Sequence, residues 1–438
     1  MLSQNQPMIG EILPPLTVET LVNGGAGLAR YEGRVVFVLH TAVGDIISCR
    51  VTKVKKKFLE AELCEIIQPS LARRQPICPV AGDCGGCQWQ HLPYSEQLSW
   101  KDSLFRETLT HQCGVDAAKV LPIIPATKEW NYRSRVQVKC HNTQAGFVTG
   151  FYRPKSHRVV SIHECPIIAP ELNALLNQLR ISIDCTVFAN DISQIDLGVD
   201  DCGCRSAVIH YSGRDVDALS KLINKNELAV ALFIKSITVK RMKNIHGNDS
   251  LQIVVDQPPI LLKYAVGSFS QINLEQNRLL IESVLNLAKL TGSDQVLDLY
   301  CGMGNFSLPL ARRAKHVIGV EESTASINMA RSNARQNQIE NVEFYNQSAE
   351  GTLGCCTSDD HPDVLILDPP RSGALATMKE LAGKPVKKVI YVSCDPQTLA
   401  RDLKFLVNSG YELLTSTPID MFPQTHHCES ISLLQSHS

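Results

Sequence analysis

Apolar and polar positions alternate from about 17 to 68, as in Val35-Val36-Phe37-Val38 and Ile46-Ile47-Ser48-Cys49-Arg50-Val51, with glycines and short polar turns between the runs. A period of two punctuated by turn residues predicts short strands, and several in succession predict a small antiparallel barrel. A helical stretch follows over 94–109, then a β-rich middle region reaches about 264. From 274 the rhythm changes. Residues 274–290 carry apolar side chains at helical spacing, 295–300 reads as a buried strand, and apolar runs recur at 316–320, 364–367 and 388–392. Strands alternating with helices predict an α/β domain built on a doubly wound sheet. The expected division is a barrel over 1–69, a central region over 70–265 and an α/β domain over 266–438; a helical segment near 93–125 is a candidate to pack on the last.

At 438 residues the chain exceeds what one hydrophobic core serves, so two or three domains are expected. The composition, 44% hydrophobic and 20% charged with a net charge of −1, gives no global attraction for a polyanion; a nucleic-acid surface would have to be a local patch. The first residues show no basic-then-apolar signal and no apolar stretch reaches membrane-spanning length, so a cytoplasmic, membrane-free monomer is expected. In that compartment the 16 cysteines are read as metal ligands, catalysts or packing residues rather than disulfides.

Local patches do exist. Gly24-Gly25-Ala26-Gly27-Leu28-Ala29-Arg30 reads as a flexible loop ending in a cation, and Lys53, Lys55, Lys56 and Lys57 form a basic cluster. Over 128–164, seven Lys/Arg stand against two acids, interleaved with Trp130, Tyr132, Phe147, Phe151 and Tyr152. Cations for phosphates and rings for bases are the footprint of single-stranded nucleic-acid binding; strand aromatics in a core are the competing explanation.

Four strand ends carry chemistry. The first runs into Cys301-Gly302-Met303-Gly304-Asn305-Phe306, where glycines let the backbone approach a ligand and a following helix offers N–H groups. The next ends at Glu321, a carboxylate able to accept two ribose hydroxyls, and the loop lacks the third glycine of a dinucleotide binder. Leu367-Asp368-Pro369-Pro370-Arg371 ends another, and Ser393-Cys394-Asp395-Pro396 puts a thiol where open α/β sheets do their chemistry. Apart from these, Cys78, Cys84 and Cys87 lie in tight glycine turns with five and two residues between them, and Cys165 precedes a proline. Thiolates so placed suit metal ligation, by iron-sulfur or zinc. Cys202, Cys204, Cys355, Cys356 and Cys428 read as incidental, and Cys301 as packing beneath a cofactor.

Phe269-Ser-Gln271-Ile-Asn273, the 298–306 run, Asp368-Pro-Pro-Arg371, Ser393-Cys394-Asp395-Pro396 and the 420–429 run ending in Glu429 stand in the order of the RNA uracil-5-methyltransferases. With a barrel that resembles a TRAM domain in front, the chain is similar end to end to the RumA/RlmD-type branch, which methylates 23S ribosomal RNA. The resemblance implies a class I Rossmann-like methyltransferase domain, an N-terminal OB-like β-barrel and a β-rich central domain carrying an iron-sulfur cluster. It implies S-adenosylmethionine contacts at Gln271, Tyr300, Asn305, Glu321, Ser348 and Asp368, catalysis by Cys394 and Glu429, and a 4Fe-4S cluster on Cys78, Cys84, Cys87 and Cys165. Gln424-Thr425-His426-His427 departs from the family's usual His-Thr-Gly-His.

The two catalytic groups make chemical sense together. Uracil C5 is a poor nucleophile, and thiolate addition at C6 turns it into an enolate carbon; a base must later remove the C5 proton so that the thiol can leave. Asp395 is expected to oppose ionisation of Cys394, with Arg371 or Arg401 as the offsetting cation. DNA cytosine methylases carry their nucleophile in a Pro-Cys after the strand that here gives Pro369-Pro370-Arg371, which favours uracil. The alternatives are a uridine of transfer RNA or another ribosomal uridine as target, and a non-catalytic RNA-binding or assembly protein.

Overall fold

The computed structural model describes residues 7–144, 146–224, 230–355 and 361–437. They form two compact units: Met1–Leu104 with Tyr152–Val160 and Phe422–His427, and Phe105–Phe151 with Ser161–Met421 and Cys428–Ser438.

The first unit opens with β1 (Ile12–Thr17), β2 (Thr20–Leu21), β3 (Gly27–Tyr31), β4 (Arg34–Val38), β5 (Ile46–Val54) and β6 (Phe58–Gln68), in the order β1-β5-β6-β4-β3-β2. The alternation read from sequence is the pleat: Ile47, Cys49 and Val51 point into the core while Arg50 and Thr52 face solvent. All pairings are antiparallel except β4 with β6, which run parallel; β5, between them in the chain, pairs on the far edge of β6. Beyond the barrel, Trp89 and Leu92 pack with Leu21 and Leu104. Helix α1 (Tyr94–Thr108) starts here, and its last turn passes into the second unit.

In the second unit, Phe105, Leu109 and Val120 join the α/β core. The middle region folds as β7 (Arg135–Thr143), β8 (Gly146–Tyr152), β9 (Val159–Ser161), α2 (Pro170–Ile183), β10 (Ile192–Val199), β11 (Arg205–Tyr211), α3 (Val216–Asn224), β12 (Ala231–Ser236) and β13 (Arg241–His246). Its sheet runs β13-β12-β11-β10-β7-β8-β9. The region is more helical than expected: α2 starts at Pro170, whose fixed φ suits the first helical turn, and buries Leu172, Leu175, Leu176 and Leu179. Tyr132 and Phe147 are core residues, whereas Tyr152 is exposed, so the aromatic run over 128–164 is only partly a surface. A hairpin of β14 (Ser250–Val255) and β15 (Ile260–Ala265) leads to the α/β domain.

That domain is α4 (Leu274–Ala288), β16 (Gln295–Leu299), α5 (Ser307–Ala311), β17 (His316–Glu321), α6 (Thr324–Gln336), β18 (Val342–Asn346), α7 (Thr352–Cys355), β19 (Val364–Leu367), α8 (Leu375–Gly383), β20 (Lys388–Ser393), α9 (Pro396–Val407), β21 (Tyr411–Ile419) and β22 (Glu429–Ser436). The order β18-β17-β16-β19-β20-β22-β21 reverses between β16 and β19, and β22 is antiparallel to both neighbours. The carboxyl ends of strands flanking such a switch point are where this architecture binds ligands. Among the described residues no helix is long and apolar enough to cross a membrane.

Candidate active site

β16 delivers Asp298 and then turns sharply, with Tyr300 at φ 65°, Gly302 at 56° and Gly304 at 92°. A side chain is strained in this left-handed region, which makes Tyr300 a strained position within the loop. Asp298 is fully buried, its Oδ2 accepts from the Ser307 hydroxyl, and its Oδ1 is buried without a protein partner. Burial pushes its carboxyl up to about 7. Glu321 stands at the end of β17, accepting from Gly302 N at 3.3 Å and Ser323 N at 2.8 Å. Asn305 exchanges two amide hydrogen bonds with Asn277 on α4, at 2.9 and 3.0 Å, which ties the loop to the helix. Gln271 is half-buried just ahead of Asn273, the N-cap of α4. Ser348 lies exposed after β18, its hydroxyl accepting from Glu350 N at 3.3 Å.

The other half of the site follows from strand register. β20 and β22 are antiparallel with Ser393 opposite Ser430, so the next residue of one and the preceding residue of the other, Cys394 and Glu429, emerge side by side. Asp368 ends β19, the parallel neighbour of β20. Glu429 is 4% exposed, and burial, with Asp368 beside it, drives its carboxyl well above the ordinary range against the pull of Arg371. Burial likewise pushes Asp368 up to about 7. The Cys394 thiol rises to about 11, first by burial, then by Glu429 and Asp368, and Arg371 opposes the rise.

One expectation is corrected and one alternative is decided here. Asp395 is turned away from the thiol, its Oδ1 capping α9 through Gln397 N at 2.9 Å and Thr398 N at 3.0 Å. The carboxyls that oppose ionisation are Glu429 and Asp368. Of the two candidate cations it is Arg371 that acts on the thiol, because Arg401 is held by Asp402 at 2.8 Å and by Ser372 O at 2.9 Å. Asp402, fully buried, also accepts from Tyr391 Oη at 2.7 Å and Ala374 N at 2.8 Å, fastening the loop after Asp368 to the helix after Cys394. Neither Asp402 nor Asn277 was singled out in the sequence. The available signal was a polar residue at a buried helical position.

The donor set fits S-adenosylmethionine. Two buried carboxyls with raised pKa, Asp298 in β16 just ahead of the glycine loop with an orphaned oxygen and Asp368 at the end of β19, lack the positive charge that a sulfonium and an α-ammonium carry.

Cys78, Cys84, Cys87 and Cys165, none of them in a disulfide, are each about nine-tenths buried, and Gly86 N donates to Cys84 Sγ at 3.4 Å. Cys78, Cys84 and Cys87 belong to the first unit and Cys165 to the second. Among the described residues, no group of three or more His, Cys, Asp or Glu is gathered so as to hold a metal ion. Cys202 and Cys204 sit in a turn built by Asp200, which accepts from both their N–H groups at 2.9 and 2.8 Å. Cys301 is buried under the glycine loop. Cys356 lies outside the described residues.

Residues 93–437 match the tRNA (Uracil-5-)-methyltransferase family and residues 8–64 match the TRAM domain. An RNA methyltransferase of Halalkalibacterium halodurans is 33% identical, with 99% of each chain covered. The 23S rRNA (uracil(1939)-C(5))-methyltransferase RlmD of Vibrio parahaemolyticus is 31% identical, with 95% of each covered. Among solved structures, the Pyrococcus abyssi tRNA (uracil-54, C5)-methyltransferase in complex with S-adenosyl-L-homocysteine shares the fold at a TM-score of 0.75 and 24% identity, covering 96% of this chain and 99% of that one. With residues 93–437 and the barrel both matched, the chain belongs to the uracil-5-methyltransferase family and carries an N-terminal TRAM domain.

Proposed function

We propose that the protein transfers a methyl group from S-adenosylmethionine to C5 of a uridine in 23S ribosomal RNA. The observation that carries the chemistry is the β20–β22 register that sets Cys394 beside Glu429, at the sheet end that also holds Asp298, Glu321 and Asp368. The choice of RNA is supported by the RlmD relatives, which are similar over nearly the whole chain.

Bound S-adenosylmethionine supplies an electrophilic methyl on a sulfonium. Gln271, Tyr300, Asn305, Glu321, Ser348 and Asp368 are its proposed contacts, Glu321 at the ribose. Cys394, as thiolate, forms a bond to C6 of an unstacked uridine, and the electron pair displaced onto C5 takes the methyl group. Glu429 then removes the C5 proton; the C6–S bond breaks, the ring is restored, and the thiolate is released. Arg371 favours the thiolate in the first step and the carboxylate in the last.

Cys78, Cys84, Cys87 and Cys165 are the proposed ligands of a 4Fe-4S cluster, supported by the thiol donor set and the Gly86 N–H on Cys84 Sγ. No step of methyl transfer passes through it. Anaerobically purified protein should contain about four iron atoms per chain by this proposal; a zinc-loaded, colourless protein would reject it.

Labelled methyl transfer to unmodified 23S and transfer RNA, followed by mapping of the modified uridine, tests the substrate. Transfer to 23S RNA is expected. Transfer to transfer RNA alone, the reading favoured by the name of the matched family, would overturn it.

A further inference from the structure

We propose that the stacked rings of His426 and His427 are a platform for an unpaired base of the RNA substrate, so that these residues select the sequence context of the target uridine. The inference rests on the RNA-methylating function proposed above. Within the first unit the two imidazoles lie with centroids 4.1 Å apart and planes inclined by 36°, and Phe422 meets His427 edge-on at 6.2 Å. Both residues are half-buried, so each retains some accessible surface.

The platform is held rigidly from behind. Gln424, fully buried at φ 70°, accepts from Arg74 at 2.8 Å and Gln97 at 2.9 Å, receives Trp89 N at its carbonyl at 3.0 Å, and donates its own N–H to Gln97 at 2.8 Å. Thr425 Oγ1 donates to Phe422 O at 2.8 Å and accepts from His427 N at 3.2 Å. His426 Nδ1 is 3.2 Å from Gln88 Oε1, which fixes that ring's rotation.

The barrel's glycine loop completes the seat. Gly25 is buried at φ 85°, its carbonyl accepts from Trp89 Nε1 at 3.1 Å, and a Cβ there would stand 3.1 Å from the His426 ring. The glycine thus serves close approach of the ring to the barrel. Rings immobilised before binding lose little entropy when a base lands on them. Unstacked RNA bases are recognised by aromatic and histidine faces, and a uridine drawn out for chemistry leaves its neighbours unstacked. Only Cys428 separates His427 from Glu429 in the chain.

The test uses the full chain and an RNA that the wild type methylates, with KM for RNA, kcat and S-adenosylhomocysteine affinity measured separately. His426→Ala and His427→Ala should raise KM for RNA roughly 5- to 100-fold, with S-adenosylhomocysteine affinity unchanged. His426→Phe and His427→Phe, which keep a face to stack on, should stay within about threefold of wild type by the same stacking argument. Gly25→Ala should follow the alanine variants, because it displaces the His426 ring.

An unchanged KM in the alanine variants, or phenylalanine variants as impaired as alanine ones, would overturn the platform. If an alanine variant fails to fold, seen as lost S-adenosylhomocysteine binding, His427→Leu replaces it: a raised KM supports stacking and an unchanged KM rejects it. A wild type inactive on 23S RNA refutes the substrate proposal instead, and the same variants then report on the RNA it does methylate.

Discussion

Glu321 and Asn305 on one half of the proposed active-site sheet, and Cys394 and Glu429 on the other, are held in opposite ways. On the β16–β17 side, Glu321 is clamped by two backbone N–H groups and Asn305 by a reciprocal amide pair with Asn277. On the β19–β20–β22 side, Cys394 and Glu429 are pushed toward their neutral forms by burial and by Asp368, with Arg371 as the opposing charge. Glu321 and Asn305, proposed to bind the donor, are fastened before it arrives. Cys394 and Glu429, proposed to react, are kept poised, their charged forms costly until substrate and donor bring compensating charge.

Removing a reacting group should therefore cost far more than loosening a binding one. Cys394→Ala should lower methyl transfer on the order of 10^4-fold or more, with S-adenosylhomocysteine binding within a factor of about three; measurable turnover would break the contrast. Arg371→Ala should come next. The thiol titrates at about 11, so the rate should climb with pH above neutrality, and loss of the cation should move that limb up by roughly one unit and slow transfer at pH 7 about tenfold. A pH–rate profile for the two proteins checks this.

On the binding side, Asn277→Ala should weaken S-adenosylhomocysteine affinity only about 2- to 10-fold by calorimetry, leaving the RNA KM unchanged. The last effect is on stability. Asp298 has a folded pKa of about 7 against an ordinary value near 4, so the folded state binds the extra proton between them. Stability of the ligand-free protein should fall as pH rises from about 4 to 7, and Asp298→Asn should flatten that slope in denaturant titrations.

The same contrast explains what was legible in the sequence. Strand-end motifs are local, so the glycine loop, Glu321, Asp368 and Cys394 stood out in residue order, as did the apolar runs of β16, β17, β19 and β20, whereas Glu429 came only with the family resemblance. Register and electrostatics are not local. That Cys394 faces Glu429 depends on β22 returning antiparallel beside β20, and the choice of Arg371 over Arg401 depends on Asp402, 31 positions after Arg371 in sequence. Asp395 misled because a carboxylate beside the thiol in sequence is spent on a helix cap. In the middle region the Leu172, Leu175, Leu176 and Leu179 spacing of α2 was present but submerged among strand-like runs. The parallel β4–β6 pair left no mark in either strand's own alternation.

The central claim is a covalent path in which Cys394 adds to the base and Glu429 ends the reaction. Glu429→Gln should slow turnover roughly 10^2- to 10^4-fold, because the C5 proton can no longer leave. Incubated with S-adenosylmethionine and substrate RNA, this variant should accumulate a denaturation-resistant RNA–protein adduct, whose mass after nuclease digestion places a methylated uridine on the peptide containing Cys394. Methylated RNA released with no adduct, or the same adduct from a Cys394→Ala, Glu429→Gln double variant, would contradict the account.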